Sequence, residues 1–252
     1  MVSPTIAARV VDDADLANCY RLWHLCRDQD NSGRGWLDYA PLRDALTTKG
    51  SSHYIYGKRQ LLKVLASGEE VFWDRVDHRV NGRWVGRRVR LASRARLAAN
   101  LGIHHLSGRM VTMPVSMLTG SGRGRAADVK AAFYATFDAG RQRPGAQHET
   151  PKPITRHRRQ QVTGLSAYRQ RQYEKRIGIT VKSNRALTQQ FTQYRLQAAR
   201  ANGRPAYKFW DSKGRRGPAG LSWVAWRLPN SYTAPDAICP VDSRRARKIN
   251  HQ

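Results

Sequence analysis

The sequence predicts a mainly helical α+β chain with small β-hairpins, in which a plan of short helices followed by a basic hairpin occurs twice. Three observations carry that expectation. Apolar residues recur at helical spacing in several short segments, turn-forming residues separate strand-like runs, and charge is distributed very unevenly. Of 252 residues, 45 are Lys or Arg and 18 are Asp or Glu, a formal net charge of +27. Residues 78–252 hold 35 basic against seven acidic side chains, or +28, whereas residues 1–77 hold 10 against 11, or −1.

In chain order, Asp15 is placed to cap a first helix whose Leu16, Tyr20, Leu22, Trp23 and Leu25 lie near helical spacing. The polar run DQDNSGRG (28–35) ends it. A second helix passes through Tyr39, Leu42 and Leu46 and stops at TTKGSS. A third, around Gly57–Ala66, sets Lys58, Arg59 and Lys63 against Leu61, Leu62, Val64 and Leu65. Asn81-Gly82 signals a two-residue hairpin turn, which needs positive φ at both central positions. Arg88-Val89-Arg90-Leu91 alternates as a half-buried strand does. Residues 93–103 read as a closing helix ended by Gly102, residues 110–118 as a strand, and residues 120–125 as a basic turn. A helix over 126–138 aligns Val129, Ala132, Phe133 and Phe137, and the Pro- and Gly-containing run 140–153 is a loop. Two short helices follow. A longer helix over 184–200 would align Leu187, Phe191, Tyr194 and Ala198. A C-terminal hairpin pairs AYKFWDS with LSWVAWRL around the turn KGRRGPAG. These elements suggest an N-terminal domain over 1–112, a second over 113–236, and a basic tail over 237–252.

The most specific motif is ITRHRRQQVTGLSAYRQRQYEKRIGI (154–179). Gly164 suits a tight turn with positive φ, Ser166 caps the helix after it, and Tyr173 lies nine residues beyond the Gly as a large anchor. Over about 25 residues this stretch resembles the helix-turn-helix of bacterial and phage regulators. The first block resembles winged-helix domains in element order. The resemblance implies tandem winged-helix or helix-turn-helix modules that bind duplex DNA, with the second helix of the motif in the major groove. Gln160 and Gln170 stand where the family has a small and a branched apolar residue, which predicts looser packing between the two helices.

On that reading Ala167, Arg169, Gln170 and Arg171 face base edges, where Arg favours guanine and Gln favours adenine. Arg156, Arg158, Arg159, Lys175 and Arg176 would hold phosphates and set register. In the first block the equivalent set is Lys58, Arg59, Gln60 and Lys63, flanked by Arg79, Arg83, Arg87 and Arg88 on the hairpin. Arg215 and Arg216, in the C-terminal turn, complete the DNA-binding set.

Charge of this size and sign favours a polyanion, because each neutralised phosphate releases condensed counterions. Double-stranded DNA is the expected partner, with the acidic N-terminal helices a surface for a protein partner or self-association. No membrane association is expected, since no stretch approaches the ~18 apolar residues of a span. Cys19, Cys26 and Cys239 are too few for a disulfide framework or zinc site and fit a reducing, cytoplasmic and nucleoid-associated setting. No catalytic residue, metal or cofactor is expected. The calcium-like run at 28–39 has Tyr39 where that loop needs a bidentate Glu. HYIYG (53–57) lacks the ligands of a nuclease, and adjacent His104 and His105 would point to opposite faces of a strand. The seven carboxylates beyond Asp77 are dispersed, and no phosphate-cradling loop or nucleophile elbow is present. Tyr173 reads as a packing anchor rather than a nucleophile. The resemblance therefore implies a transcriptional regulator or a replication initiator of a plasmid, phage or other mobile element. The alternative is an RNA- or single-strand-binding protein that stacks bases on the aromatic C-terminal hairpin (Tyr207, Phe209, Trp210, Trp223, Trp226, Tyr232).

Overall fold

The computed structural model describes residues 1–119, 126–142, 151–188, 206–209 and 223–241, with the backbone alone at 185–188, 206–209 and 223–227. Helix α1 (Pro4–Val10) starts on a proline, whose missing amide costs nothing in a first turn. Helix α2 (Ala14–Gln29) is capped by Asp13, which accepts the amides of Asp15 and Leu16 at 2.8 and 3.0 Å. Asp15, the expected cap, is instead in the first turn, where a carboxylate still favours the helix dipole. Asp30 then organises the following turn by accepting from the amides of Arg34 and Gly35 at 3.2 and 2.7 Å.

Strand β1 (Trp36–Asp38) is an element the sequence did not announce. It leads into α3 (Tyr39–Thr47) and α4 (Lys58–Ser67), then β2 (Trp73–Val80) and β3 (Arg83–Leu91). Asn81 and Gly82 close the hairpin with φ of 49° and 77°, as the two-residue turn requires. The three strands form an antiparallel sheet in the order β1-β3-β2. Helix α5 (Arg94–Asn100) follows, with Gly102 at φ 70° just beyond it. The strand expected over 110–118 shrinks to β4 (Val111–Thr112), because Pro114 has no amide for a ladder and α6 (Ser116–Thr119) begins two residues later.

Helix α7 (Ala126–Ala139) precedes α8 (Arg156–Thr163) and α9 (Ala167–Ile177). Strands β5 (Thr180–Lys182), β6 (Arg185–Thr188), β7 (Ala206–Phe209), β8 (Trp223–Arg227), β9 (Ser231–Thr233) and β10 (Cys239–Pro240) complete the described chain. The C-terminal hairpin is present as β7 paired with β8, and β6 joins the other edge of β8. The helix expected over 184–200 is therefore corrected at its start, since residues 185–188 extend to hydrogen-bond with β8. Residues 189–200, the turn holding Arg215 and Arg216, and the tail beyond 241 lie outside the described residues.

The architecture is mixed helix and sheet with small antiparallel sheets, an α+β arrangement. Its centre is α2. The sequence pattern suggested one apolar stripe, but residues 19–26 of α2 are buried all round, as suits a helix packed by neighbours on every side. Tyr20 and Trp23 pack within a cluster with Phe72 and Phe133, and Phe133 belongs to α7. One contiguous cluster runs from Val2 through α2, α4 and α7 to Tyr232 and Ile238, so both halves of the chain share a core. Cys19 and Cys26 are free thiols inside it, pushed up to about 12 by burial and so held as inert thiols. Enclosure of α2 leaves its acids exposed only towards its two ends, at Asp12, Asp13 and Asp15 and at Asp28. Among the described residues no helix is long and apolar enough to cross a membrane.

Candidate nucleic-acid interface

Helix α4 buries Leu61, Val64 and Leu65 and leaves Arg59, Leu62, Lys63 and Ala66 outward, each stripe following the i, i+3, i+4 spacing of a helix surface. Leu62, grouped with the apolar anchors from sequence, is 52% exposed on the cationic side. The root of the hairpin is fixed to the end of this helix. Trp73 donates its indole N–H to the Leu65 carbonyl at 2.9 Å, and its ring lies where a side chain at residue 68 would be, 2.3 Å from an ideal Cβ. Gly68 is required there for steric reasons. Trp23 holds the other strand by donating to the Ala92 carbonyl at 3.0 Å.

Beyond that root the hairpin leaves the body of the protein. Arg79, Val80, Arg83, Trp84 and Val85 are all exposed. Lys58, Arg59, Lys63, Arg79 and Arg83 have no carboxylate partner among the described residues. Arg87 forms an exposed 3.5 Å pair with Asp77. Arg88 is more constrained: it pairs with Asp38 at 2.8 Å and lies 3.8 Å over the ring of Trp36, which makes it a brace between β1 and β3.

The second candidate element is the α8–α9 pair. Thr155 caps α8 by accepting from the Arg158 amide, Gly164 ends it at φ 72°, and Ser166 caps α9 by accepting from the Arg169 amide. The turn is therefore the one the sequence indicated. Helix α9 turns Gln170, Tyr173, Glu174 and Ile177 inward and exposes Tyr168, Arg171, Gln172 and Lys175 as the opposite stripe. Arg171 and Lys175 have no carboxylate partner among the described residues. On the flanks Arg169 pairs with Asp12 and Arg176 with Asp128, both at 2.8 Å.

Beneath this pair lies a buried charge network. Arg159 is completely enclosed and donates to Glu174 at 2.7 Å and to Asp138 at 2.5 Å. Arg156 makes two parallel bonds to Glu174 at 2.9 and 2.8 Å, and the Tyr134 hydroxyl donates to the same carboxylate. The ring of Tyr232 stands 3.7 Å from the Arg159 guanidinium. These contacts join α7, α8, α9 and β9, so the angle between α8 and α9 is set by charged side chains as well as apolar ones. Burial raises the Asp138 carboxyl to about 7 against the opposing pull of Arg159, and its Oδ1 has no hydrogen-bond partner. The folded-state value exceeds the unfolded one of 3.8, so this group stabilises the fold most at acidic pH. The contribution is lost as pH rises through about 7. Between pH 5 and 8, wild type is expected to lose stability relative to Asp138→Asn, measured as urea midpoints at both pH values. No relative change between the two pH values would show that Arg159 holds the carboxylate ionised throughout.

Several sequence-based assignments change on this geometry. Arg159, expected at phosphates, is buried because its guanidinium is the hub of the network. Arg156, expected at phosphates, is committed to Glu174. Gln170, expected at bases, is buried and donates to the carbonyls of Leu165 at 2.9 Å and Arg156 at 3.2 Å. Those bonds replace the apolar contact that a branched residue would make, so the helices stay joined despite the departure from the family pattern. Tyr232, expected in the aromatic stacking set, is buried under Arg159, and Tyr173 packs beside Tyr134. Arg158, Arg171, Lys175, Lys58, Arg59, Lys63 and Arg83 are exposed, and Ala167 is half-buried. Sequence reasoning missed Tyr168, Gln172, Leu62 and Trp84. Counting back from Tyr173 and Ile177 in helical steps would have placed Gln170 inside and Tyr168 and Gln172 outside. Compared with known proteins, the chain matches no family model, no curated protein and no solved structure.

Proposed function

We propose that the protein binds double-stranded DNA with sequence preference, as a transcriptional regulator or replication initiator. The observation that carries this is α9: a capped helix after a Gly turn, anchored by a buried network, with Tyr168, Arg171, Gln172 and Lys175 on its outer face. That is the placement a recognition helix needs, with anchors inward and guanine- and adenine-reading side chains outward.

Two further features support the reading. Helix α2, strand β1, helices α3 and α4 and the β2–β3 hairpin follow each other in winged-helix order, with α4 as the groove-facing candidate. Helix α4 also begins with Lys58 and Arg59 and has no acid in its first turn. Cations there oppose the helix dipole at about 0.3–1 kcal/mol each, a cost that a docked phosphate reverses.

Selection from random duplexes, with equal-length single strands as competitors, tests the reading directly. An enriched duplex motif is the expected result, and tighter binding to single strands would overturn it. On the selected site, Arg171→Ala is expected to cost about 1–3 kcal/mol and relax preference at one base pair. Arg158→Ala is expected to weaken every sequence equally. If both changes lower specific and non-specific binding by one common factor, α9 does not read bases.

A further inference from the structure

The β2–β3 tip has a feature that phosphate binding does not use. Trp84 is 62% exposed, Val85 56% and Val80 49% beside a two-residue turn, and Trp84 is paired across the hairpin with Arg79 as Val80 is with Arg83. The register of the hairpin breaks between His78 and Arg79, so that Val85 is the extra residue on its strand and the twist is re-aimed just before the tip. Arg79, on the same face as Trp84, and Arg83, next to it on the strand, have no carboxylate partners among the described residues. At its root the hairpin is tied to the body through Trp73 and Trp23.

We propose that this tip is a base-stacking wedge: the Trp84 indole inserts at an unstacked base step of duplex DNA while Arg79 and Arg83 take the adjoining phosphates. The inference rests on the duplex-DNA reading and adds to it a preference for weakened or unpaired steps. Charge decides the occupant. A protein surface able to cover Trp84 would also have to neutralise two flanking guanidiniums. Nucleic acid presents a flat π face and a negative charge within each nucleotide. Apolar side chains that enter between base steps act by unstacking them, and the energy required is least where pairing is already lost.

The test compares one duplex sequence in two forms, fully paired and with two adjacent mismatches, against wild type and three variants. Wild type is expected to favour the mismatched form by about tenfold. Trp84→Ala should abolish that preference, its loss of affinity falling mainly on the mismatched form. Trp84→Phe should keep most of it, because a flat ring remains. Arg83→Ala should weaken both forms by the same factor. Thermal midpoints of the Trp84 variants should stay close to that of wild type, since the residue is 62% exposed and lies outside the hydrophobic core. The wedge is overturned if wild type binds duplex without favouring mismatches, or if Trp84→Ala lowers both affinities equally. It is also overturned if Trp84→Ala changes the oligomeric state in sedimentation, which would assign the tip to contact between chains. Absence of duplex binding by wild type would instead overturn the duplex-DNA reading, and the wedge with it.

Discussion

Arg159→Ala is expected to destabilise the fold by about 3–5 kcal/mol near pH 8, read as the shift in urea unfolding, whereas Arg158→Ala changes it by less than about 0.5 kcal/mol. The two arginines are neighbours in sequence and opposite in environment. Removing the Arg159 guanidinium leaves Asp138 buried without its paired cation and Glu174 with Arg156 alone, and takes the cation from the faces of Tyr232 and Tyr134. Among the described residues the Arg158 side chain hydrogen-bonds only to the Gln161 side chain, at 3.0 Å on the surface. Lysine should not rescue Arg159. A single ammonium cannot reach two carboxylates on different helices in the fork geometry that the guanidinium supplies. Equal losses for the two alanine variants would mean that the network does not hold α8 and α9 in place.

Raising salt from about 50 to 200 mM is expected to weaken DNA binding by about 10³–10⁵-fold, with a slope of about −0.9 in log affinity per phosphate contact and some 6–10 contacts. The exposed cations with no carboxylate partner are the basis: Lys58, Arg59, Lys63, Arg79 and Arg83 around the first module, and Arg158, Arg171 and Lys175 around the second. Arg87, Arg169 and Arg176 begin in exposed ion pairs that are worth little in water, so phosphates can displace Asp77, Asp12 and Asp128 at small cost. Titrations at four salt concentrations suffice to measure the slope. A value shallower than about −2 would mean that fewer than three phosphates are neutralised, and that the positive surface is not an extended DNA footprint.

What the sequence determined by itself was local. Asn81-Gly82 specified its turn because two consecutive positive φ angles are tolerated by few residue pairs. Gly164 and Ser166 specified the break between α8 and α9, since a left-handed glycine and a capping hydroxyl act within three or four residues of themselves. The concentration of charge beyond Asp77 needed no structure at all.

Tertiary structure alone decided which charged side chains are inside. Arg156, Arg158 and Arg159 are the same residue type in one turn of helix, and nothing nearby separates them. The distinction comes from Asp138, 21 residues before Arg159, and Glu174, 15 residues after it, which meet at one point when α7 packs against α9. Long-range packing likewise enclosed α2 on every side and set β1 against β3. It also drew residues 185–188 into a strand, because β8 offered them hydrogen bonds that local propensity could not anticipate. Burial is a property of what lies across the core, and a linear pattern records only what lies along the chain.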